Sequence, residues 1–192
     1  MTALSWTTVI VGLACFLSFG VGIRFYFTKP ARKTLPMYLI TEVGTCIALF
    51  HLGLLAYHGV WRQHLDARAL AGALALYLGS LSLFWWTIYT VRQDRLTFAY
   101  SKDVPRVLIE AGPYRYIRHP FYTAYTLGFV AAPVALLSPL LLLTSMFMFV
   151  VYRESALMEE QKFADSELEA QYREYTRRTG RFFPRLFPPS RR

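Results

Sequence analysis

Gly112-Pro113-Tyr114-Arg115-Tyr116-Ile117-Arg118-His119-Pro120-Phe121-Tyr122 lies between a charged linker, residues 92–110, and an apolar run that begins at Phe121. Proline fixes φ and biases the residue before it away from helix, which predicts extended or turn backbone at Gly112 and His119. A rigid, non-helical segment carrying Arg118 and His119 beside an apolar run is costly unless it binds something. Read as a membrane boundary, the stretch decides the fold. The apolar runs on either side of it must then be helices in lipid.

Composition supports that boundary. The 192 residues are 55% hydrophobic and 17% charged, and mean hydropathy is +0.31. A soluble domain of this length carries about 25% charged residues. The formal net charge of +9 would suit nucleic acid, but the basic residues gather beside the apolar runs. Anionic lipid headgroups and the positive-inside rule explain them without a nucleic-acid partner. Cys15 and Cys46 both fall inside apolar runs and read as packing residues. No Cys/His cluster has zinc spacing, so no metal is expected, and there is no glycine-rich phosphate loop.

The predicted architecture is all-α: a polytopic membrane protein of five spans in one domain, 1–192. Residues 1–91 hold three spans, Leu4–Phe27, Tyr38–Val60 and Ala69–Val91; residues 92–192 hold the motif linker, a helical hairpin and a C-terminal cap. The first run lacks a basic stretch before its apolar core and an A-x-A site, so it reads as a retained span. Gly12, Gly20 and Gly22 along it are expected at close helix contacts. In the second span, His51 and His58 share roughly one face and are expected in structural hydrogen bonds. Glu42 sits near that span's end, within reach of the interface.

Trp85, Trp86 and Tyr89 form an aromatic belt at the end of the third span. Ser138-Pro139 splits the hairpin into Phe121–Leu137 and Leu140–Tyr152, with a kink expected at Pro133. From Arg153 onward the chain is charged, and a helix is expected through about Thr179, closed by Gly180.

Five spans place Lys29, Arg32, Lys33, Arg92, Arg95, Lys102, Arg106, Arg115, Arg118 and the arginine-rich tail on one side, and Arg62 and Arg68 on the other. Motif and tail are therefore expected together on the cytoplasmic face. The hairpin starts and ends on that face, so it brings two polar segments together. One offers Tyr114, Arg118, His119 and Tyr122; the other Glu159, Glu160, Tyr172, Tyr175, Arg178 and Arg181. Carboxylates suit an ammonium, guanidiniums a carboxylate, and aromatic faces a cation. S-adenosylmethionine makes all three demands. The same residue types also occur as interface anchors and on solvated helices, where pairs such as Glu169–Arg173 form.

The Gly112–Tyr122 stretch, followed by Glu159-Glu160, Tyr172-x-x-Tyr175, Arg178, Arg181-Phe182 and Pro184, resembles the integral-membrane methyltransferase superfamily. That superfamily includes the isoprenylcysteine carboxyl methyltransferases and the phospholipid N-methyltransferases. The resemblance runs from Arg95 to Pro184. It implies an S-adenosylmethionine pocket closed by the C-terminal helix and open sideways to lipid. His119, Arg118 and Tyr122 would line the cofactor together with Tyr114 and Pro120 of the same motif, and Glu159 or Glu160 would take its amino group. Tyr172, Tyr175, Arg178 and Arg181 would shape the pocket or hold the carboxylate. One departure stands out: Leu168-Glu169 replaces the usual Phe-Gly pair, and the Phe163-to-Tyr172 spacing is one residue long.

The acceptor separates two forms of this chemistry. A carboxylate acceptor needs only desolvation and positioning. A primary amine is protonated at neutral pH and must lose a proton, for which His119, Glu159 or Glu160 is the expected catalytic group. A membrane lipid amine, phosphatidylethanolamine, is favoured because lipid enters sideways and the chain has little soluble surface for a protein substrate. Carboxyl methylation of a prenylated cysteine is the alternative. A sterol-type reductase using NADPH and a non-enzymatic membrane protein are the readings from other classes. Nothing in the sequence fixes an oligomeric state.

Overall fold

Each expected apolar run is helical in the computed structural model, which describes residues 2–26, 35–61, 65–91 and 107–185. Six helices follow in order: α1 Ala3–Phe25, α2 Leu35–Trp61, α3 Ala67–Val91, α4 Pro120–Leu136, α5 Pro139–Ala164 and α6 Glu169–Arg178. A single 3-10 turn, Gly112–Arg115, precedes α4. Among the described residues no strand forms; Ile117 and Gly180 meet in an isolated parallel bridge. The architecture is all-α. Lys29, Arg32, Lys33, Arg62, Arg92, Arg95, Lys102 and Arg106, on which the expected orientation partly rests, lie outside the described residues.

Local chemistry sets the helix ends. The Thr2 hydroxyl accepts from the Ser5 N–H at 3.2 Å to open α1, and Asp66 accepts from the Ala69 N–H at 2.8 Å to open α3. These are N-caps that satisfy otherwise orphaned donors. At the hairpin, Leu137 takes a left-handed φ of 48°, Ser138 caps α5, and Pro139 stands at its first turn. Proline is tolerated there because that N–H has no helical acceptor.

Among the described residues, four helices are long and apolar enough to cross a membrane: α1, α2 through Ile40–Gly59, α3 and α5. No more than 33% of any of their spanning windows is buried inside the protein, so most of each apolar surface faces outward, as lipid contact requires. The expected fifth span corresponds to α4, an apolar helix of 17 residues, at the lower end of the roughly 17–25 residues that a spanning helix needs. It is the central helix, packed on α3 and α5 and also touching α1 and α2.

Polar stitches fix this packing. Ser80 donates to the Ala124 carbonyl at 2.6 Å and meets the Cys15 thiol at 3.2 Å, tying α3, α4 and α1. Ser145 donates to the Phe129 carbonyl at 2.7 Å, tying α5 to α4. His51 bonds Thr144 at 2.7 Å, the structural role expected of it. Cys15 is buried and Cys46 exposed; both are free thiols. Glu42 is exposed, as are Trp85, Trp86 and Tyr89.

Three expectations change. An added Cβ would meet Leu52 at 2.8 Å from Gly12 and Phe84 at 2.3 Å from Gly22, whereas Gly20 has nothing within 4 Å. Only the first two glycines serve close packing. The charged C-terminal helix is not continuous: α5 stops at Ala164 and α6 begins at Glu169, with Ser166 turning the chain through hydrogen bonds to Phe163, Leu168 and Glu169. The longer Phe163-to-Tyr172 spacing falls in this turn, and the rings of those two residues still stack at 4.6 Å. Finally, α6 ends because Thr179 becomes extended, with φ −117° and ψ 149°. Gly180 is required for space instead, since an added Cβ would lie 1.6 Å from the Phe183 carbonyl oxygen.

Candidate functional site

The motif stretch begins with a turn that only glycine permits. Gly112 has φ +56°, and an added Cβ would lie 2.2 Å from the Thr90 hydroxyl. Pro113 follows it into the 3-10 turn, which buries Tyr114. His119 is non-helical, at φ −124° and ψ 63°, immediately before Pro120, which starts α4. The two prolines thus leave a short non-helical segment whose backbone polar groups need partners. The C-terminal tail supplies them: Gly180 N–H donates to the Tyr116 carbonyl at 3.1 Å, Arg118 N–H to Gly180 at 2.8 Å, and His119 N–H to Arg181 at 3.1 Å.

That backbone pairing aligns the side chains. Glu160, on α5, accepts from Arg118 Nε at 3.1 Å, from Arg181 Nε at 3.0 Å and from Arg181 Nη2 at 2.7 Å. His119 lies between the two glutamates, with Nε2 at 3.1 Å from Glu160 and Nδ1 at 3.3 Å from Glu159. Tyr122 donates to Glu159 at 2.7 Å. Arg118 also donates through Nη1 to the Thr179 carbonyl at 2.7 Å. Below this cluster the Tyr122 ring stacks on Tyr152, 5.5 Å between centroids, and Phe182 covers His119 and packs on Phe149.

Electrostatics follow from the geometry. Burial alone would lower the His119 pKa, but hydrogen bonds and charge from Glu159 and Glu160 outweigh it, and the net direction is upward. Both ring nitrogens of a histidine donate only when it is the imidazolium. In that form His119 has no lone pair with which to take a proton. The hydrogen bond to Glu160 also pushes the Arg181 pKa up.

The sequence-predicted residues divide into two groups. Arg118, His119, Tyr122, Glu159, Glu160 and Arg181 converge in one cluster, with Pro120 buried beneath them. Tyr114, Tyr172 and Tyr175 are buried and support it: Tyr175 donates to the Tyr114 carbonyl at 2.8 Å, and Tyr172 stacks on Phe163. Arg178 does not join, because its guanidinium pairs with Glu110 on the outer side. Thr123 and Glu110 carry no role in the sequence reading. Thr123 donates to the Phe182 carbonyl at 3.0 Å and so pins the tail over α4. Its only sequence signal is a hydroxyl one turn past His119.

Residues 67–170 match the sequence profile of the phospholipid methyltransferase family. No curated protein gives a significant match to the chain. The matched segment spans α3, the motif, the hairpin and the start of α6, and it contains Arg118, His119, Tyr122, Glu159 and Glu160.

Proposed function

Because the chain belongs to the phospholipid methyltransferase family, and is thus a membrane methyltransferase, we propose that it moves a methyl group from S-adenosylmethionine to the headgroup amine of phosphatidylethanolamine. One observation carries the reading. Two segments far apart in sequence close into a part-buried cluster of two carboxylates, two guanidiniums and an imidazole, set beside an apolar bundle.

The residues present fit the cofactor. Arg118 and Arg181 each commit only part of their five N–H donors to Glu160 and Thr179, which leaves donors for a carboxylate. One of Glu159 and Glu160 offers an anion for an ammonium, and the Tyr122–Tyr152 stack offers aromatic faces for a cation. Bound there, S-adenosylmethionine supplies a methyl group activated by its sulfonium.

The chain's own task is to hold donor and acceptor about 3–3.5 Å apart, in line, with water excluded. His119 and Tyr172 are buried, whereas Glu159 and Arg181 are part-exposed, so bound donor and acceptor complete the exclusion of water. A primary ammonium must shed a proton before it attacks. An imidazolium pinned between two carboxylates takes none, so the proton goes to a carboxylate.

The same reading puts the cluster on the cytoplasmic side, supported by Arg115, Arg118, Arg177, Arg178 and Arg181 near one end of the bundle and Arg68 at the other. The test is transfer of labelled methyl by detergent-purified protein to a lipid panel with a prenylcysteine analogue beside it. Label in phosphatidylethanolamine supports the reading. Label only in the prenylcysteine overturns the choice of acceptor, and no transfer to any acceptor overturns the function.

A further inference from the structure

Beyond α6 the chain forms a strap, residues 180–185, laid across the α4–α5 hairpin. Thr123 on α4 donates to the Phe182 carbonyl at 3.0 Å. The Phe182 ring packs against Phe149 of α5 at 5.4 Å and lies 5.9 Å from His119. Phe182 is therefore turned inward, 9% exposed, while its neighbour Phe183 is turned outward, 74% exposed.

Depth and charge say what covers that outward ring. Arg153 and Glu154, both exposed, are the first charges along α5, so the span leaves the apolar core at about their level. Phe149 stands one turn before them, about 6 Å deeper, and Met146, Phe147 and Val150 beside it face outward. The strap thus meets α5 at the boundary between headgroups and acyl chains, on the edge of its outward apolar surface. Residues 169–185 also carry five arginines against two glutamates. Arg185 donates to the Arg177 carbonyl, and both side chains are exposed. Guanidiniums beside an outward aromatic ring suit a segment lying in a membrane surface.

We propose that the strap is a membrane-surface anchor: Phe183 enters the headgroup–acyl boundary of a phospholipid leaflet, and Arg177 and Arg185 meet its anionic headgroups. The start of the strap holds the cluster. The Gly180 and Arg181 carbonyls accept from the Arg118 and His119 N–H groups, and the Arg181 guanidinium holds Glu160. The leaflet thereby keeps the cluster covered. The anchor does not depend on which molecule is methylated, and its test uses no ligand.

The first measurement is depth. In a Cys46→Ala background, where the remaining Cys15 is buried, Phe183→Cys, Phe147→Cys and Arg173→Cys each carry a nitroxide in nanodiscs of phosphatidylcholine with phosphatidylglycerol. Phe147 faces outward from α5 and reports lipid; Arg173, exposed on α6, reports water. The label at 183 should behave like that at 147, open to oxygen and shielded from a water-soluble nickel chelate. Nickel access equal to that at 173 overturns the anchor. Shielding from both reagents means that protein covers the ring, which overturns it as well.

The second is docking of the strap, read as trypsin cleavage after Arg178 and Arg181, which tracks the open population. Phe183→Ser should raise cleavage about tenfold, as loss of a partly buried phenyl ring predicts, with the unfolding midpoint unchanged. Phe183→Trp should stay at the wild-type rate, since tryptophan also suits the interface. Omitting phosphatidylglycerol should speed wild-type cleavage severalfold, and Arg185→Gln should reduce that dependence. Cleavage of Phe183→Ser at the wild-type rate, or cleavage indifferent to lipid charge, would overturn the lipid assignment.

Discussion

The guanidinium of Arg181 closes on Glu160 as a fork, Nε to Oε1 at 3.0 Å and Nη2 to Oε2 at 2.7 Å. The pair joins α5 to the segment beyond α6, so it holds the tail against the helix that carries both glutamates. Lysine is a point charge and cannot reproduce a two-pronged contact. Arg181→Lys should therefore weaken tail docking by about 2 kcal/mol, in the range of hydrogen bonds to charged groups. Limited proteolysis in nanodiscs checks this, with cleavage after Arg177 and Arg178 appearing earlier than in wild type.

Arg178 makes the opposite prediction. Its partner Glu110 lies outside the cluster, and the Arg178 side chain is 52% exposed. Exposed ion pairs contribute about 0–1 kcal/mol. Arg178→Ala should leave S-adenosylmethionine affinity within about twofold of wild type, whereas Arg181→Ala should abolish measurable binding. Equilibrium dialysis of the two variants side by side distinguishes them.

His119 gives stability a pH dependence of defined sign. Its folded pKa is raised above the ordinary imidazole value by Glu159 and Glu160 in spite of burial. The interaction is then fully present below the unfolded pKa of about 6.5. It is lost as pH rises through the higher folded value. The wild-type unfolding midpoint should fall as pH rises above about 6.5 and through the higher folded value, and a His119→Gln variant should show a flatter profile. Thermal unfolding of the two proteins across that range is the check.

The glycines differ in kind. Gly180→Ala would drive a methyl into the Phe183 carbonyl and should release the tail, with loss of activity and a lower unfolding midpoint. Gly20→Ala meets nothing within 4 Å, and alanine is favoured over glycine in helix by up to about 1 kcal/mol. That variant should be as stable as wild type or slightly more so. Paired thermal scans decide between them.

Most of the helices were legible because apolar runs in lipid can only be helical, and the Ser138-Pro139 stop is chemically explicit. The convergence of Arg118 and His119 on Glu159-Glu160 was legible too, because a hairpin returns its ends to one face. The direction of Arg178 was not. It depends on Glu110, which carries no periodic or motif signal. The break after Ala164 was missed because none of Asp165, Ser166, Glu167 and Leu168 is glycine or proline, and Ser166 makes the turn by local hydrogen bonds. Nor could the sequence reveal that Gly180 is needed for space, since the Phe183 carbonyl that crowds it arrives only when the tail folds back. The gathering of Arg118, His119 and Arg181 on Glu160 was equally hidden, because adjacent glutamates are chemically identical until their partners are placed.

The most direct test of the site is methyl transfer under single-turnover conditions, with wild type and His119→Ala in nanodiscs containing phosphatidylethanolamine and labelled S-adenosylmethionine. The expected result is label in the lipid headgroup with wild type and at least about a hundredfold slower transfer with His119→Ala, the cost of misplacing reacting groups by about 1 Å, while the variant still inserts and unfolds cooperatively. Transfer at the wild-type rate by a folded His119→Ala protein would contradict the placement of the chemistry in this cluster.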